Sequence, residues 1–312
     1  MLKLLQQWID TNAVQAEAGH IDWLRIMPLV LLHGACLGVL VVGVSPIALF
    51  VAVLAYAVRM FAITAFYHRY FAHKAFRTSR VCQFVFAVIG ASATQRGPLW
   101  WAAHHRDHHK HADVAADPHQ SERGFFWSHM GWFVSGENFA TRQDNVPDWQ
   151  QYPELRWLDR YDLLVPVLLG LFMFGLGVVL NALWPQLGTS GWQMLIWGYF
   201  VSTVVLMHAT LLVNSMAHRV GHRRFQTRDR SRNNWWLALL TFGEGWHNNH
   251  HRYAGSARQG FYWWQVDLSY WILWLMARLG LVWDLKPVPA HVMAEGLALP
   301  GTTPGTQRRM AR

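Results

Sequence analysis

Four long apolar runs constrain this chain more than any other feature. They occupy residues 26–44, 47–67, 163–183 and 192–213, each close to the roughly 20 residues that cross a bilayer's hydrocarbon. Ser45-Pro46 parts the first two and a short turn at 184–191 parts the last two, so the runs pair into two hairpins. The apolar run at 81–93 is too short to cross and reads as a buried or re-entrant segment. The Trp-rich stretch 261–281 carries Asp267 and Arg278; it reads as an amphipathic helix in the membrane interface, with a fifth span as the alternative. The expected fold is an all-α integral membrane protein with four transmembrane helices.

Charge orients it. Lys and Arg number 27 against 18 Asp and Glu, a formal charge of +9, yet neither hairpin turn holds a Lys or Arg. They concentrate in residues 68–162 and beyond 213. The positive-inside rule then turns both hairpins away from the cytoplasm and both termini towards it, as in a bacterial inner membrane. Residues 68–162 and 214–288 form a cytosolic helical cap within one domain, 1–288. The remainder, 289–312, is expected to be a disordered tail. Residues 1–25 lack the apolar core of a cleaved signal peptide. The cluster Arg219, Arg223, Arg224, Arg228, Arg230 and Arg232 reads as attraction to anionic head groups, or as a dock for an acidic electron donor or anionic acyl carrier. No recognition motif accompanies it, so it does not indicate nucleic acid.

The apolar content of 53% excludes disorder. Two cysteines, Cys36 and Cys82, exclude a disulfide framework and thiolate metal centres. A metal here must be held by imidazole, and the chain has 18 histidines.

Those histidines are patterned. His68-Arg69-Tyr70-Phe71-Ala72-His73 closes the second run, and His218 follows the fourth. HxxHH occurs twice, as His105, His108, His109 and as His247, His250, His251. At about 100° per residue, each triad presents its imidazoles within roughly a 100° arc of a helix. His68 and His73 are offset by about 140° on the same geometry, which suits different metals or a helix end. The nine imidazoles are too many for one metal and suit two, with four or five ligands each. Two spans lie between the second box and the third, and none between the first two, so all boxes emerge on one membrane face. His33 and His208 lie inside spans and read as hydrogen-bonded packing residues; His20 and His291 have no patterned neighbours. His104, His111, His119 and His129 read as supporting, substrate-facing or exposed, and His222 as part of the basic surface. HExxH is absent, and ExxH pairs occur only at Glu17–His20 and Glu244–His247, which does not supply a carboxylate-bridged site. An all-imidazole dinuclear site on a membrane face fits oxygen activation on a lipid-like substrate.

The chain resembles the membrane fatty-acid desaturases of the stearoyl-CoA/Δ9 type in their bacterial form. Besides the boxes, the matching residues are Gly243-Glu244-Gly245-Trp246-His247-Asn248-Asn249-His250-His251, Ala116-Asp117-Pro118-His119, residues 123–132 and Asn214-Ser215-Met216-Ala217-His218. The resemblance spans about residues 25–288. It implies two iron ions held by His68, His73, His105, His108, His109, His218, His247, His250 and His251, with Asn214 reaching one iron through water. It further implies that O2 and two electrons insert a cis double bond, at position 9, into a long saturated acyl chain in a bent, water-excluding tunnel. Gln95, Trp101 and Trp246 flank the boxes and are the candidate lining residues. Animal acyl-CoA members carry Arg-Asp before the second box where this chain has Ala103-His104, so acyl-CoA, acyl carrier protein and glycerolipid all stay open as carriers. No HPGG and no GxGxxG occurs, so electrons come from a separate donor such as a ferredoxin or cytochrome b5 with its reductase. The rival readings are a membrane alkane or lipid hydroxylase and, from another class, a metal transporter.

Overall fold

The computed structural model describes Asp10 and residues 23–298. The expectations for the rest of residues 1–22 and for 299–312 lie outside the described residues. Helices of six residues or more are numbered in chain order.

The described chain is mostly helical, with one short antiparallel pair of strands, Arg77–Thr78 against Val282–Trp283. Helix α1 begins at Trp23–Ala35 and passes through a 3-10 turn at Cys36–Gly38 to Val39–Val42. Gly43 then takes a left-handed φ of 64° and Ser45 caps the next helix by accepting Ala48 N–H at 3.3 Å. Pro46 supplies the preset first helical residue of α2, Pro46–Ala72. The second hairpin joins α6, Leu164–Leu183, to α7, Gly191–Met216. Gly177 has no room for a side chain, because a Cβ there would sit 2.3 Å from Ser190 O. That contact sets how closely α6 and α7 approach.

Among the described residues three helices, α2, α6 and α7, are long and apolar enough to cross a membrane. The apolar part of the first run, Ile26–Val42, is shorter and spans about 25 Å at 1.5 Å per residue. The short run near 81–93 forms α3, Arg80–Ala91, capped by Ser79. It is too short to cross and lies against α2, where Phe86 stacks on Phe66 at 3.8 Å.

Polar bonds pin the apolar helices. Within α2, Arg59 is buried and its guanidinium donates to Ser202 Oγ at 2.5 Å and Thr203 Oγ1 at 2.6 Å on α7. An intramembrane cation needs such partners. Lower on α2, Arg69 makes a bidentate pair with Asp267, at 2.9 and 3.1 Å. Asp267 in turn caps α10, Leu268–Arg278, accepting Tyr270 N–H at 3.0 Å. The helix expected across 261–281 is therefore confined to α10, and residues 261–267 run as turns.

The two HxxHH boxes lie on α4, Pro98–His111, and α9, His247–Arg252; α5, Pro153–Arg160, packs against α4, and α8, Trp235–Leu240, precedes α9. Gly245 lets α8 lie against the start of α9, since a Cβ there would sit 2.1 Å from Ala238 N. One correction concerns the segment after 289. Residues expected to be disordered include α11, Ala290–Leu297, whose buried Val292 packs with Phe225, Phe261 and Tyr262.

Candidate metal centre

The second half of α2 sets the geometry of the first box. Residues Ala62–Ala72 wind as a π-helix, and His73 N–H donates to His68 O at 3.2 Å. An i→i+5 winding brings residues five apart onto one side. His68 and His73 therefore join one group instead of being splayed as α-helical geometry predicts. Each HxxHH is also divided. His105 and His109 join His68, His73 and His250, whereas His108 joins His218, His247 and His251. Within each group all ligand nitrogens lie within 4.8 Å of one another. All nine histidines named from the boxes thus come together, five in one group and four in the other.

Their contacts test whether metal ions fit. Nε2 atoms face one another across His73–His105 at 2.8 Å, His109–His250 at 2.8 Å, His68–His250 at 3.0 Å and His218–His247 at 3.0 Å. The outer nitrogens are braced by carboxylates. His108 Nδ1 donates to Asp117 at 3.0 Å, His218 Nδ1 to Asp113 at 2.8 Å and His251 Nδ1 to Asp229 at 2.9 Å, while His68 Nδ1 meets Glu244 Oε2. A neutral imidazole that donates through Nδ1 carries a lone pair on Nε2. His108 and His251 therefore aim two lone pairs at each other across 3.4 Å. Two acceptors at that distance repel, and a cation between them removes the repulsion.

Electrostatics prepares the same set. Burial, then the neighbouring imidazoles, drives His73, His105, His109, His247 and His250 well below the ordinary imidazole range. For His251 burial again dominates and the opposing Asp229 bond leaves it at about 4. Neutral imidazole is the ligand form. Burial pushes Asp113 and Asp229 up, but the bonds and charges of His218 and His251 outweigh it. Asp113 falls to about 2, and Asp229 lies below the usual carboxylate range. Each acceptor thus stays ionised behind its histidine.

The remaining sequence candidates separate cleanly. Gln95, Trp101 and Asn214 line a narrow cavity of about 40 Å³ beside His105. Trp101 and Asn214 also line a second one, of about 30 Å³, beside His68, His105, His108 and His247. Trp101 stacks on His105 with centroids 5.1 Å apart, and Gln95 Nε2 donates to Thr210 Oγ1 at 3.1 Å. Gln95 is held between Thr94 and Arg96, both at positive φ, 60° and 72°; such strain marks a position that the surroundings over-determine. Trp246 does not share the placement expected of it. It lines none of these cavities, and its indole N–H donates to Val266 O at 2.7 Å. His104 and His119 line the 40 Å³ cavity. Burial lowers both to about 3. His33 and His208 are hydrogen-bonded to each other at 3.0 Å, and His208 to His129 at 2.9 Å.

Sequence reasoning missed the four bracing carboxylates. Asp117 and Glu244 lie within the matching motifs, whereas Asp113 and Asp229 lie in none and reach His218 and His251 from 105 and 22 positions away. It also missed why the last box contains two asparagines. Asn248 Oδ1 accepts Arg224 and Phe225 N–H, and Asn249 Nδ2 donates to Gln259 O and Gln265 Oε1. These bonds lock α9 so that its three imidazoles point at the two groups.

Apolar helices of membrane-crossing length around two buried imidazole groups able to hold metal ions fit the class of membrane metalloproteins. Residues 45–284 match the family described as fatty acid desaturase, and the chain belongs to that family. It is 37% identical over 270 residues to the sn-1 stearoyl-lipid 9-desaturase of Anabaena variabilis, covering 86% of this chain and 94% of that one. It is likewise 37% identical to the sn-2 palmitoyl-lipid 9-desaturase of a Nostoc species, over 74% of this chain and 78% of the relative. An acyl-CoA 5-desaturase of Anemone leveillei is 38% identical over 75% and 69%.

Proposed function

We propose that the protein inserts a cis double bond at position 9 of a long saturated acyl chain at a diiron centre. The observation that carries this reading is the division of nine buried imidazoles into groups of five and four, with the lone pairs of His108 and His251 opposed. Relatives named as 9-desaturases support the position of the double bond.

Two irons in these groups would supply, with O2 and two electrons, the oxidising power to remove two hydrogens from adjacent methylenes. No side-chain acid or base can do this, because such a C–H bond has no usable acidity. The chain's own residues prepare the site. Asp113, Asp117, Asp229 and Glu244 hold their histidines in orientation and tautomer. Trp101 walls the five-histidine group, stacked on His105 and 5.7 Å from the His68 ring. Gln95 and Thr210 tie the 94–96 turn to α7 where the narrow cavities meet. Asn214, which lines both narrow cavities, would reach one metal through water. The reading places α1, α2, α6 and α7 across the membrane as two hairpins, with the histidine-bearing cap on the cytoplasmic side. An acidic donor, a ferredoxin or a cytochrome b5, would meet the arginine-bearing loop at 219–232. That loop braces the four-histidine group directly, since Arg230 N–H donates to Asp113 Oδ2 at 2.7 Å and Asp229 holds His251.

Gas chromatography–mass spectrometry of lipids from a desaturase-deficient host expressing the chain tests the proposal. Monounsaturated chains with the bond at carbon 9 are expected. Hydroxylated chains in their place would overturn it in favour of the hydroxylase reading.

A further inference from the structure

A larger cavity lies outside the metal centre, and nothing in the boxes accounts for it. It encloses about 450 Å³ between α1, α6, α7 and the 133–139 segment, within the size range of small-molecule sites. Leu29 and Leu32 of α1, Val167 and Gly170 of α6, and Leu195 and Phe200 of α7 form most of its wall. Its rim includes Leu31, Val167 and Leu171, which are 61, 56 and 64% exposed. These belong to the lipid-facing surface of the apolar helices, so the mouth opens towards hydrocarbon.

The inner end points to the metals. Phe133 lines both this cavity and the 40 Å³ cavity that contains Gln95, His105 and Asn214. The strained turn completes the partition, with Thr94 and Arg96 on the large-cavity side and Gln95 on the metal side. Trp101, His105, Thr210 and Asn214 are in turn shared with the 30 Å³ cavity, which Met60 and Ile63 also line. Three spaces therefore lie in series: a wide one open to lipid and two narrow ones beside the metal groups.

The charge at the inner end chooses among acyl carriers. Arg96 donates to Asp162 Oδ2 at 2.6 Å and to Phe139 O at 2.8 Å. Its charge is neutralised within the protein, and among the described residues no other cation lines the cavity. No described side chain there meets the phosphates of coenzyme A or of a carrier-protein arm. The exposed arginines of 219–232 line none of the three spaces.

We propose that the 450 Å³ cavity is a lateral entrance that takes an acyl chain of an intact membrane glycerolipid, leaving its glycerol ester at the bilayer side while the chain passes Phe133 to the metal groups. This rests on the desaturase reading and names its substrate class. Relatives of similar identity carry lipid and acyl-CoA names alike, so overall similarity does not decide the carrier. Entry requires Phe133 to swing aside, because the two inner spaces are narrow.

The test uses the full chain in phosphatidylglycerol vesicles containing a trace of phosphatidylglycerol with a diazirine on a stearoyl chain. Two variants accompany the wild type. In Gly170→Leu a Cβ has ordinary contacts of 3.5–3.7 Å with Tyr199 and Leu195, so the larger side chain projects into the cavity. Leu31→Trp blocks the exposed rim without touching the core. Photolabel is expected on the α1 and α6 peptides that line the cavity, competed by distearoyl phosphatidylglycerol and not by stearoyl-CoA. Both variants should lose the label and lower desaturation of lipid-bound stearate at least about tenfold, the scale of a methylene misfit in an apolar pocket, with metal content unchanged. Label confined to other peptides, competition by stearoyl-CoA alone, or variants that lose label yet keep full activity would overturn the proposal. Specific labelling by a wild type that forms no double bond on any carrier would overturn the desaturase reading while leaving the lipid site standing.

Discussion

Replacing Asp229 with Asn tests the bracing argument with almost no change of volume. Asp229 Oδ2 accepts His251 Nδ1–H at 2.9 Å, while Oδ1 accepts Ser231 N–H at 2.9 Å and Thr227 Oγ1–H at 3.0 Å. An amide cannot serve both sides. If its oxygen stays with Ser231 and Thr227, its NH2 faces His251 Nδ1. The imidazole must then move its proton to Nε2, where the metal's lone pair was. If the amide turns over, two buried donors oppose each other at Ser231. Either outcome loses a hydrogen bond to a charged group, a cost of about 1.5–3 kcal/mol. Loss of such a bracing partner costs about 10–100-fold in metal affinity, or about 1.4–2.7 kcal/mol. His251 belongs to the four-histidine group alone, so the effect should fall on one metal of two. Elemental analysis after competition with a graded chelator should show Asp229→Asn retaining about one equivalent where wild type retains about two. Equal retention of both equivalents across the chelator series would refute the tautomer reasoning, because the variant removes the carboxylate bonded to His251.

Three further outcomes follow from the same geometry. His108→Ala and His250→Ala should each abolish double-bond formation and leave membrane insertion intact, the first depleting the four-histidine group and the second the five-histidine group; retained product in either variant would remove that residue from the ligand set. Asp267→Ala leaves the buried Arg69 guanidinium with Ala257 O and, at 3.6 Å, Glu244, and uncaps α10; breaking a buried pair costs up to about 3–5 kcal/mol, and a thermal midpoint in detergent within a degree of wild type would contradict this. Because His73, His105, His109, His247, His250 and His251 are held below the ordinary range, they are already neutral near pH 7. Their folded values lie below the unfolded one, so protons compete with metal at these six only on acidification. Metal loading of the apoprotein at pH 7, followed by calorimetry in buffers of different ionisation enthalpy, should release well under one proton per histidine ligand.

Much of the candidate site was legible because its signals are local. An apolar run reports a membrane helix whatever its neighbours do, and HxxHH places imidazoles on a single face through helical pitch. Departures arose where the pitch or a remote contact intervened. His68 and His73 looked divergent because α-helical winding was assumed, whereas α2 changes to π winding at Ala62. Trp246 looked like a lining residue because it adjoins His247, but the turn before α9 sends its indole to Val266. Helix α11 was hidden because its stability comes from Val292 meeting Phe225, Phe261 and Tyr262; a short helix has little stability of its own.

From its sequence alone the chain is committed to apolar hairpins, a basic face and a metal site made of imidazole. Hydropathy, charge and the supply of ligand types belong to the residues themselves. The tertiary structure decides which nitrogen serves which group. Each HxxHH is divided between the two groups, and Asp113 reaches His218 from 105 positions away. It also forms an apolar cavity between α1, α6 and α7. No periodicity encodes these features, because they depend on the relative placement of segments that are distant in the chain.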